Sequence, residues 1–515
     1  MALARAAATV GGLTAASRLL GFARDMLIAA LLGAGPLADA FLIAFKLPNL
    51  FRRLFAEGAF SAAFVPLFGG LLGRDGRAAA ERFAQQTLAW LTATLLALTA
   101  LAELAMPALM LALAPGFIGD PVRFDAAVAL TRITFPYLLF IALTALLGGM
   151  LNALDRFAAA AAAPILLNVV MIAAALALPP WVGGAAPALA WGVFVAGALQ
   201  LAWLASACRA AGCALALPWP RWDPGVRRLL QLLGPGAFGA GAVQIGLMVN
   251  VILASLLAPG SVSFLYYADR IVQLPLGVVG AAIATALLPA LTRDLQRGEA
   301  AARATLDRAL EGALALTLPA MAGLVVLAEP IIAVLFQRGA FDEAATQATS
   351  ATLAGFALGL PAYVLVKVLA PAFFAREDTR TPVRAAVIAL AVNLALDVVL
   401  MPMLGAVGIA LATSAAAWLN AALLARALVR RGAWAPTAPL RRRTLGLLAA
   451  VAAMVLMLWL AQRHVEPLVA GSTTMAALTL GGLIAGGAAI YAVSAQVLGA
   501  VDVAALWRAL RGRPA

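Results

Sequence analysis

The chain has 515 residues, of which 64% are hydrophobic and 11% charged, against roughly 45–50% and 25% in soluble domains. A water-soluble globule of this length has nowhere to bury so much apolar side chain, so a soluble enzyme is excluded and a polytopic membrane protein is indicated. The net charge of +13, from 36 basic and 23 acidic residues, excludes nothing until the loops that carry it are known.

Apolar runs broken by Gly, Pro and charge predict helical segments at about 9–33, 37–70, 83–113, 123–151, 159–179, 185–207, 227–257, 262–291, 304–328, 343–373, 382–402, 405–429, 444–461 and 473–499, each long enough for a bilayer core that takes about 20 residues. The predicted fold class is an all-α polytopic membrane protein of about fourteen transmembrane helices. An even number of spans puts both termini on one side. With that side taken as cytoplasmic, the inside loops hold most of the arginines, among them Arg74, Arg77, Arg82, Arg293, Arg297 and Arg441 to Arg443. The outside loops hold only Arg123, Arg338 and Arg463. This positive-inside pattern predicts cytoplasmic termini and accounts for the surplus charge with no nucleic-acid partner. No cleavable signal is expected, because Met1 to Val10 carries Arg5 and runs straight into the first apolar stretch. Cys208 and Cys213 have the spacing of neither a redox pair nor a zinc knuckle, and no role is assigned to them.

A repeat runs through the segments. Pro136 and Asn168 recur 225 positions later as Pro361 and Asn393, and Leu47-Pro48 recurs as Leu274-Pro275. The division that follows is an N-lobe at 1–207 holding segments one to six, a cytoplasmic interlobe loop at 208–226, and a C-lobe at 227–431 holding segments seven to twelve. Residues 432–515 add two further helices and a basic tail. Six segments per lobe make the repeats parallel, an arrangement suited to a cavity between two rocking lobes.

Within the apolar segments remain Arg18, Arg24, Lys46, Arg52, Arg53, Arg132, Arg270 and Lys367, with Asp25, Asp39, Glu57 and Asp269 as nearby acids. An Arg at the bilayer centre costs at least about 2.5–3.5 kcal/mol, so such residues default to a functional reading. At about 1.5 Å per residue, Arg24 and Arg270 each lie roughly 14 Å from the outer ends of their segments, near the midplane. Arg53 and Glu57, at i and i+4, neutralise each other. Asp269 reads as a local counter-ion. Lys46, Arg132 and Lys367 fit packing and cavity lining equally well. Arg18 and Arg24 differ by about 240° on an ideal helix, so sharing one cavity requires a bend, for which Gly21 is placed. Asp25 is expected to orient an arginine from another helix rather than its neighbour Arg24.

This leaves Arg18, Arg24, Arg52 and Arg270 in excess over acid. Either they form buried salt bridges joining the lobes, or they form an anion site. The second reading is preferred, because guanidinium forks bind phosphate in bidentate fashion and stay charged at any physiological pH. A proton-coupled exporter of cationic cargo would want buried, titratable carboxylates instead.

The same residues carry a resemblance. Ser17-Arg-Leu-Leu-Gly-Phe-Ala-Arg-Asp25, Asp39-Ala-Phe41, Phe45-Lys-Leu-Pro-Asn-Leu-Phe-Arg-Arg-Leu-Phe-Ala-Glu-Gly-Ala-Phe-Ser61, Tyr266-Tyr-Ala-Asp-Arg270 and Arg376-Glu-Asp-Thr-Arg-Thr-Pro382 resemble the MurJ (MviN) family of bacterial lipid II flippases. That family belongs to the multidrug/oligosaccharidyl-lipid/polysaccharide exporter superfamily, which includes MATE transporters. The resemblance implies two pseudo-symmetric, MATE-like six-helix lobes, with the last two helices forming a lipid-facing groove. It implies a transporter and not an enzyme, with lipid II as substrate: undecaprenyl-diphosphate-MurNAc(pentapeptide)-GlcNAc, moved across the bacterial inner membrane by alternating access for peptidoglycan synthesis.

The resemblance also implies residue roles. Arg18, Arg24, Arg52 and Arg270 would be the substrate-binding arginines, with Ser17 and Asp25 beside them, and Asp39 and Ser263 would belong to the outer gate. Gln273 stands where some members carry an acid, which weakens any gate pairing there. Some members bind sodium in the second lobe, for which Asn393, Asp397, Thr413 and Asn250 are the candidate ligands. Asn250 stands where an Asp would strengthen the site. No catalytic residue and no other cofactor is implied. The alternatives are a flippase for another polyprenyl-diphosphate glycan or a MATE-type exporter, a membrane glycosyltransferase or phosphatase, and a structural scaffold. The arginine-rich segments, the extra helix pair and the short outer loops, where His464 stands alone, speak against them.

Overall fold

The computed structural model describes residues 2–52, 59–469 and 473–501. They fall into two compact units, Met1–Ser263 with Arg338–Phe341, and Phe264–Gln337 with Asp342–Ala515. The first unit holds α1 (Ala2–Leu32), α2 (Pro36–Arg52), α3 (Ala59–Arg74), α4 (Arg77–Leu104), α5 (Met106–Leu113), α6 (Pro121–Thr134), α7 (Tyr137–Ala153), α8 (Phe157–Ala177), α9 (Pro179–Val182), α10 (Ala185–Ala210) and α11 (Pro224–Ser255). The second holds most of α12 (Ser261–Arg297), then α13 (Glu299–Val326), α14 (Ala328–Phe336), α15 (Glu343–Ala357), α16 (Leu360–Phe374), α17 (Arg380–Leu404), α18 (Ala406–Arg430), α19 (Ala438–Val469) and α20 (Thr473–Val497).

Among the described residues all fourteen predicted segments fall on helices, and no strand occurs. Ten spans there are long and apolar enough to cross a membrane. The chain is a multi-pass, all-α membrane protein. The repeat boundary expected at 208–226 and the packing boundary after Ser263 differ: α11, the first helix after the interlobe loop, packs on α3, α4 and α5.

Local chemistry sets several helix starts. Asp120, Asp223 and Asp342 each cap a helix by accepting from the backbone N–H three residues on, at 3.2, 2.7 and 2.8 Å. Pro121 and Pro224 follow the first two, where a missing N–H costs nothing. Prolines also divide predicted segments. The fourth segment breaks into α6 and α7 before Tyr137, beside Pro136, and the tenth into α15 and α16 around Gly359, two residues before Pro361. These are the two prolines of the repeat.

The repeat reappears in turn geometry. Asp155 and Glu377 are the non-glycine residues with positive φ among those described, at 58° and 60°. The next residue in each turn closes it in the same way, Arg156 N–H to Leu151 O at 2.8 Å and Asp378 N–H to Phe373 O at 3.0 Å. In the second turn the Thr381 hydroxyl and N–H and the Arg431 guanidinium all donate to Asp378 and hold its carboxyl well below the usual range.

Each unit has its own core. In the first, Phe60, Phe64, Phe68 and Phe83 stack against Leu146, Leu147 and Met150. In the second, Leu306, Val364, Phe373, Leu424 and Trp434 pack together, and α19 lies against α13 and α20.

Candidate functional site

The first site is built on α1 and α8. Arg24 lies deep in α1 and is 4% exposed. Its Nε and Nη2 donate to Asp25 Oδ1 at 3.1 and 2.7 Å, and its Nη1 donates to Asn168 Oδ1 at 2.9 Å. The expectation that Asp25 faces away from its neighbour is therefore corrected. Adjacent positions are about 100° apart on a helix, but the four-bond Arg side chain folds back far enough for its Nε–Nη2 edge to reach the carboxylate. Asn168 fixes the opposite edge and itself donates from Nδ2 to the Ser17 carbonyl at 3.0 Å. Phe45 of α2 lies under the guanidinium, 5.1 Å from ring centroid to Cζ. The result is a buried cation that is neutralised, aimed and stacked.

Arg18, on the same helix, is exposed. Helical structure runs unbroken through Gly21, where an added Cβ would make ordinary contact with the Asn168 amide. So α1 offers two arginines of different character, one enclosed and one open. Arg52 closes α2, and its side chain lies outside the described residues, as do Arg53 and Glu57 altogether.

A second cluster lies at the other end of α2. Asp39 is fully buried, and its carboxylate accepts four hydrogen bonds. Oδ1 takes the Ser263 N–H at 2.9 Å and the Ser263 hydroxyl at 2.7 Å; Oδ2 takes the Gly260 N–H at 2.7 Å and Arg123 Nη2 at 3.2 Å. Asp39 and Ser263, both expected at the outer gate, are brought into contact.

In the second unit Arg270 is half-buried; its Nη2 donates to the Tyr266 hydroxyl at 3.0 Å, and its Cζ lies 5.0 Å from that ring's centroid. Gln273, in the place of an acid, donates to Asp269. Lys367 packs its ammonium against Gly280, where a Cβ would crowd it.

The sodium candidates divide between the units. Asn393 and Asp397 lie one turn apart on α17, 6% and 0% exposed, and Asn393 Nδ2 and both Asp397 oxygens have no hydrogen-bond partner. A bare carboxylate cannot stay in such a place alone; it needs a proton or a cation. Thr413, on the adjoining α18, donates its hydroxyl proton to Ile409 O at 2.8 Å, which leaves oxygen lone pairs for a cation. One carboxylate with neutral oxygens suits a hard monovalent ion, and no cluster of three or more His, Cys, Asp or Glu occurs among the described residues. Asn250 has a buried, unpartnered Oδ1 but belongs to the first unit.

Sequence reading passed over two residues in these clusters. Asn168 served only as a marker of the repeat, yet it is the one hydrogen-bonding side chain in the apolar helix α8, and that isolation was a usable signal. Arg123 counted only as an outside-loop charge. It is 2% exposed and tied to Asp39, a pairing across 84 positions that no local pattern announces.

Comparison with known proteins follows the same lines. The sequence model of the family described as lipid II flippase MurJ matches residues 28–479. A probable lipid II flippase MurJ of Rhizobium tropici is 47% identical over 525 residues, covering 100% of this chain and 98% of that one. A solved structure of lipid II flippase MurJ in an inward closed conformation is similar with a TM-score of 0.79 and 26% identity, covering 95% of this chain and 98% of the other. An inward-facing MATE-family multidrug transporter shares the fold, with a TM-score of 0.69 at 12% identity over 81% of this chain and 94% of its own.

Proposed function

The chain belongs to the lipid II flippase MurJ family, and from that premise we propose that it moves lipid II from the inner to the outer leaflet of the bacterial inner membrane by alternating access, with both termini in the cytoplasm. It is a transporter and not an enzyme. The observation that carries the site assignment is the Arg24 guanidinium, buried within the long apolar helix α1 and balanced by Asp25.

Arg24, Arg18, Arg52 and Arg270 would take the diphosphate. In the arrangement described, Asp25 occupies the Nε–Nη2 edge of Arg24, one of the two edges a phosphate can use for bidentate binding. Asp25 then acts as a stand-in anion. It keeps the buried cation affordable while the site is empty, and a diphosphate of higher charge displaces it on binding. Asn168 holds the other edge throughout, so the guanidinium keeps its aim. Arg18 is open to an arriving head group. The potential across the membrane biases the cycle by about 2.3 kcal/mol per charge per 100 mV.

Sodium would be held by Asn393, Asp397 and Thr413; when bound, it supplies a positive charge to the Asp397 carboxylate and so links that carboxylate's environment to the ion gradient. The orphaned oxygens of Asp397 support this assignment.

The test is to deplete a host of its own flippase, supply this chain and measure lipid II exposed at the outer leaflet. Restored exposure is expected. Failure of well-expressed, inserted protein to restore it would overturn the substrate assignment.

A further inference from the structure

Asp39 and Ser263 alone would make a lock from one carboxylate and neutral donors. The structure adds a third party. Arg123, in the first turn of α6, bridges the same elements that Asp39 bridges: Nη2 reaches Asp39 on α2 at 3.2 Å, and Nη1 reaches the Leu257 carbonyl in the α11–α12 connection at 3.3 Å. Its Cζ lies 3.9 Å from the ring centroid of the fully buried Phe117. Next to Phe117, the Gly116 N–H donates to Ser255 Oγ at 3.3 Å, and a Cβ on Gly116 would collide with the Ser255 carbonyl. The segment carrying Phe117 and Arg123 is therefore seated against the end of α11 with no space between.

We propose that Arg123 is a positioning residue of the outer gate, which keeps the Asp39 carboxylate charged, compensated and aimed whether the gate is closed or open. The inference rests on the gate reading of Asp39 and Ser263. In the closed gate the Asp39 and Arg123 charges cancel, so closure buries no net charge. Opening, by withdrawal of the α11–α12 connection, removes the Gly260 and Ser263 donors from Asp39 and the Leu257 carbonyl from Arg123. The Asp39–Arg123 pair stays, because α2 and α6 pack directly on each other. Asp39 thus remains set to recapture Ser263. Without Arg123, the carboxylate in the closed gate has only neutral donors against its charge, and the closed state loses ground to the open one.

The experiment places spin labels at Leu37→Cys and Leu256→Cys, 48% and 50% exposed and outside the hydrogen-bond network, in the full chain with Cys208→Ser and Cys213→Ser. Distance distributions are recorded in lipid nanodiscs for Arg123, Arg123→Gln, Arg123→Lys and Asp39→Asn backgrounds, each checked for a cooperative melt. Arg123→Gln should raise the ratio of long to short distances at least about tenfold, as should Asp39→Asn, and Arg123→Lys should recover most of the short population. A folded Arg123→Gln protein with the unmodified distribution, while Asp39→Asn opens, overturns the role of Arg123 and leaves the gate standing. If Asp39→Asn also changes nothing, the gate reading falls and this inference with it. Equal opening by Arg123→Gln and Arg123→Lys also overturns it, since that marks a packing role for the arginine rather than a charge held on Asp39.

Discussion

At the residue scale the informative feature is a buried cation held by side chains of two helices. Arg24 is balanced by Asp25 and braced by Asn168, so removing either should hurt in different degree. Asp25→Ala removes the carboxylate paired with a buried charge, a loss of about 3–5 kcal/mol of stability; Asn168→Ala removes one hydrogen bond to that charged group, about 1.5–3 kcal/mol, along with the bond to the Ser17 carbonyl. Denaturation of the purified proteins in the same detergent should show the larger loss for Asp25→Ala, and equal or reversed losses would refute this ranking. The presence of Arg24 in an apolar segment marked it as unusual in the sequence. Its partner did not follow, because adjacent helix positions point apart at the level of Cβ, and only the length of the Arg side chain reverses that. Asp397 and Asn393 came from the resemblance as candidate ligands, whereas the orphaned state of the Asp397 oxygens is a property of packing that no sequence pattern reveals.

At the scale of elements, apolar runs predicted where every long helix lies, because hydrophobic length is what the bilayer demands. They did not predict the interruptions. The third segment parts at Ala105 into α4 and α5, just before Pro107, and the fourth and tenth part beside Pro136 and Pro361. Proline was the available signal in each case, and hydropathy averaging hides it. One connection is bound by contact rather than by hydropathy: Gly116 lies flush on the Ser255 carbonyl. Gly116→Ala must push the α5–α6 connection away from α11, at a cost of about 1–3 kcal/mol typical of overpacking. Gly119→Ala, where a Cβ meets nothing within 4 Å, should melt like the unmodified chain. A Gly116→Ala protein as stable as Gly119→Ala would show that the contact is not tight.

At the scale of the whole molecule, the surplus of +13 divides into arginines of the connections, which by the positive-inside pattern would orient the chain, and a few arginines within apolar helices, to which we assign the proposed function. The repeat found in the sequence recurs in the paired turns at Asp155 and Glu377, while the packing boundary after Ser263 lay beyond sequence reading because it depends on which faces α11 buries. The proposed sodium coupling is tested at this scale. Sodium at about 100 times its dissociation constant should stabilise the chain by about 2.7 kcal/mol over a sodium-free buffer of equal ionic strength, and Asp397→Asn should abolish the difference. If the melt is indifferent to sodium in the unmodified chain, Asp397 carries a proton instead.

The most direct test of the central claim is lipid II exposure at the outer leaflet in cells depleted of their own flippase and supplied with Arg24→Ala, alongside the unmodified chain and Arg24→Lys at matched membrane levels. Loss of the bidentate fork should lower exposure at least about tenfold in Arg24→Ala, with at most partial recovery in Arg24→Lys. Full exposure with Arg24→Ala would contradict the assignment of the buried guanidinium to the diphosphate.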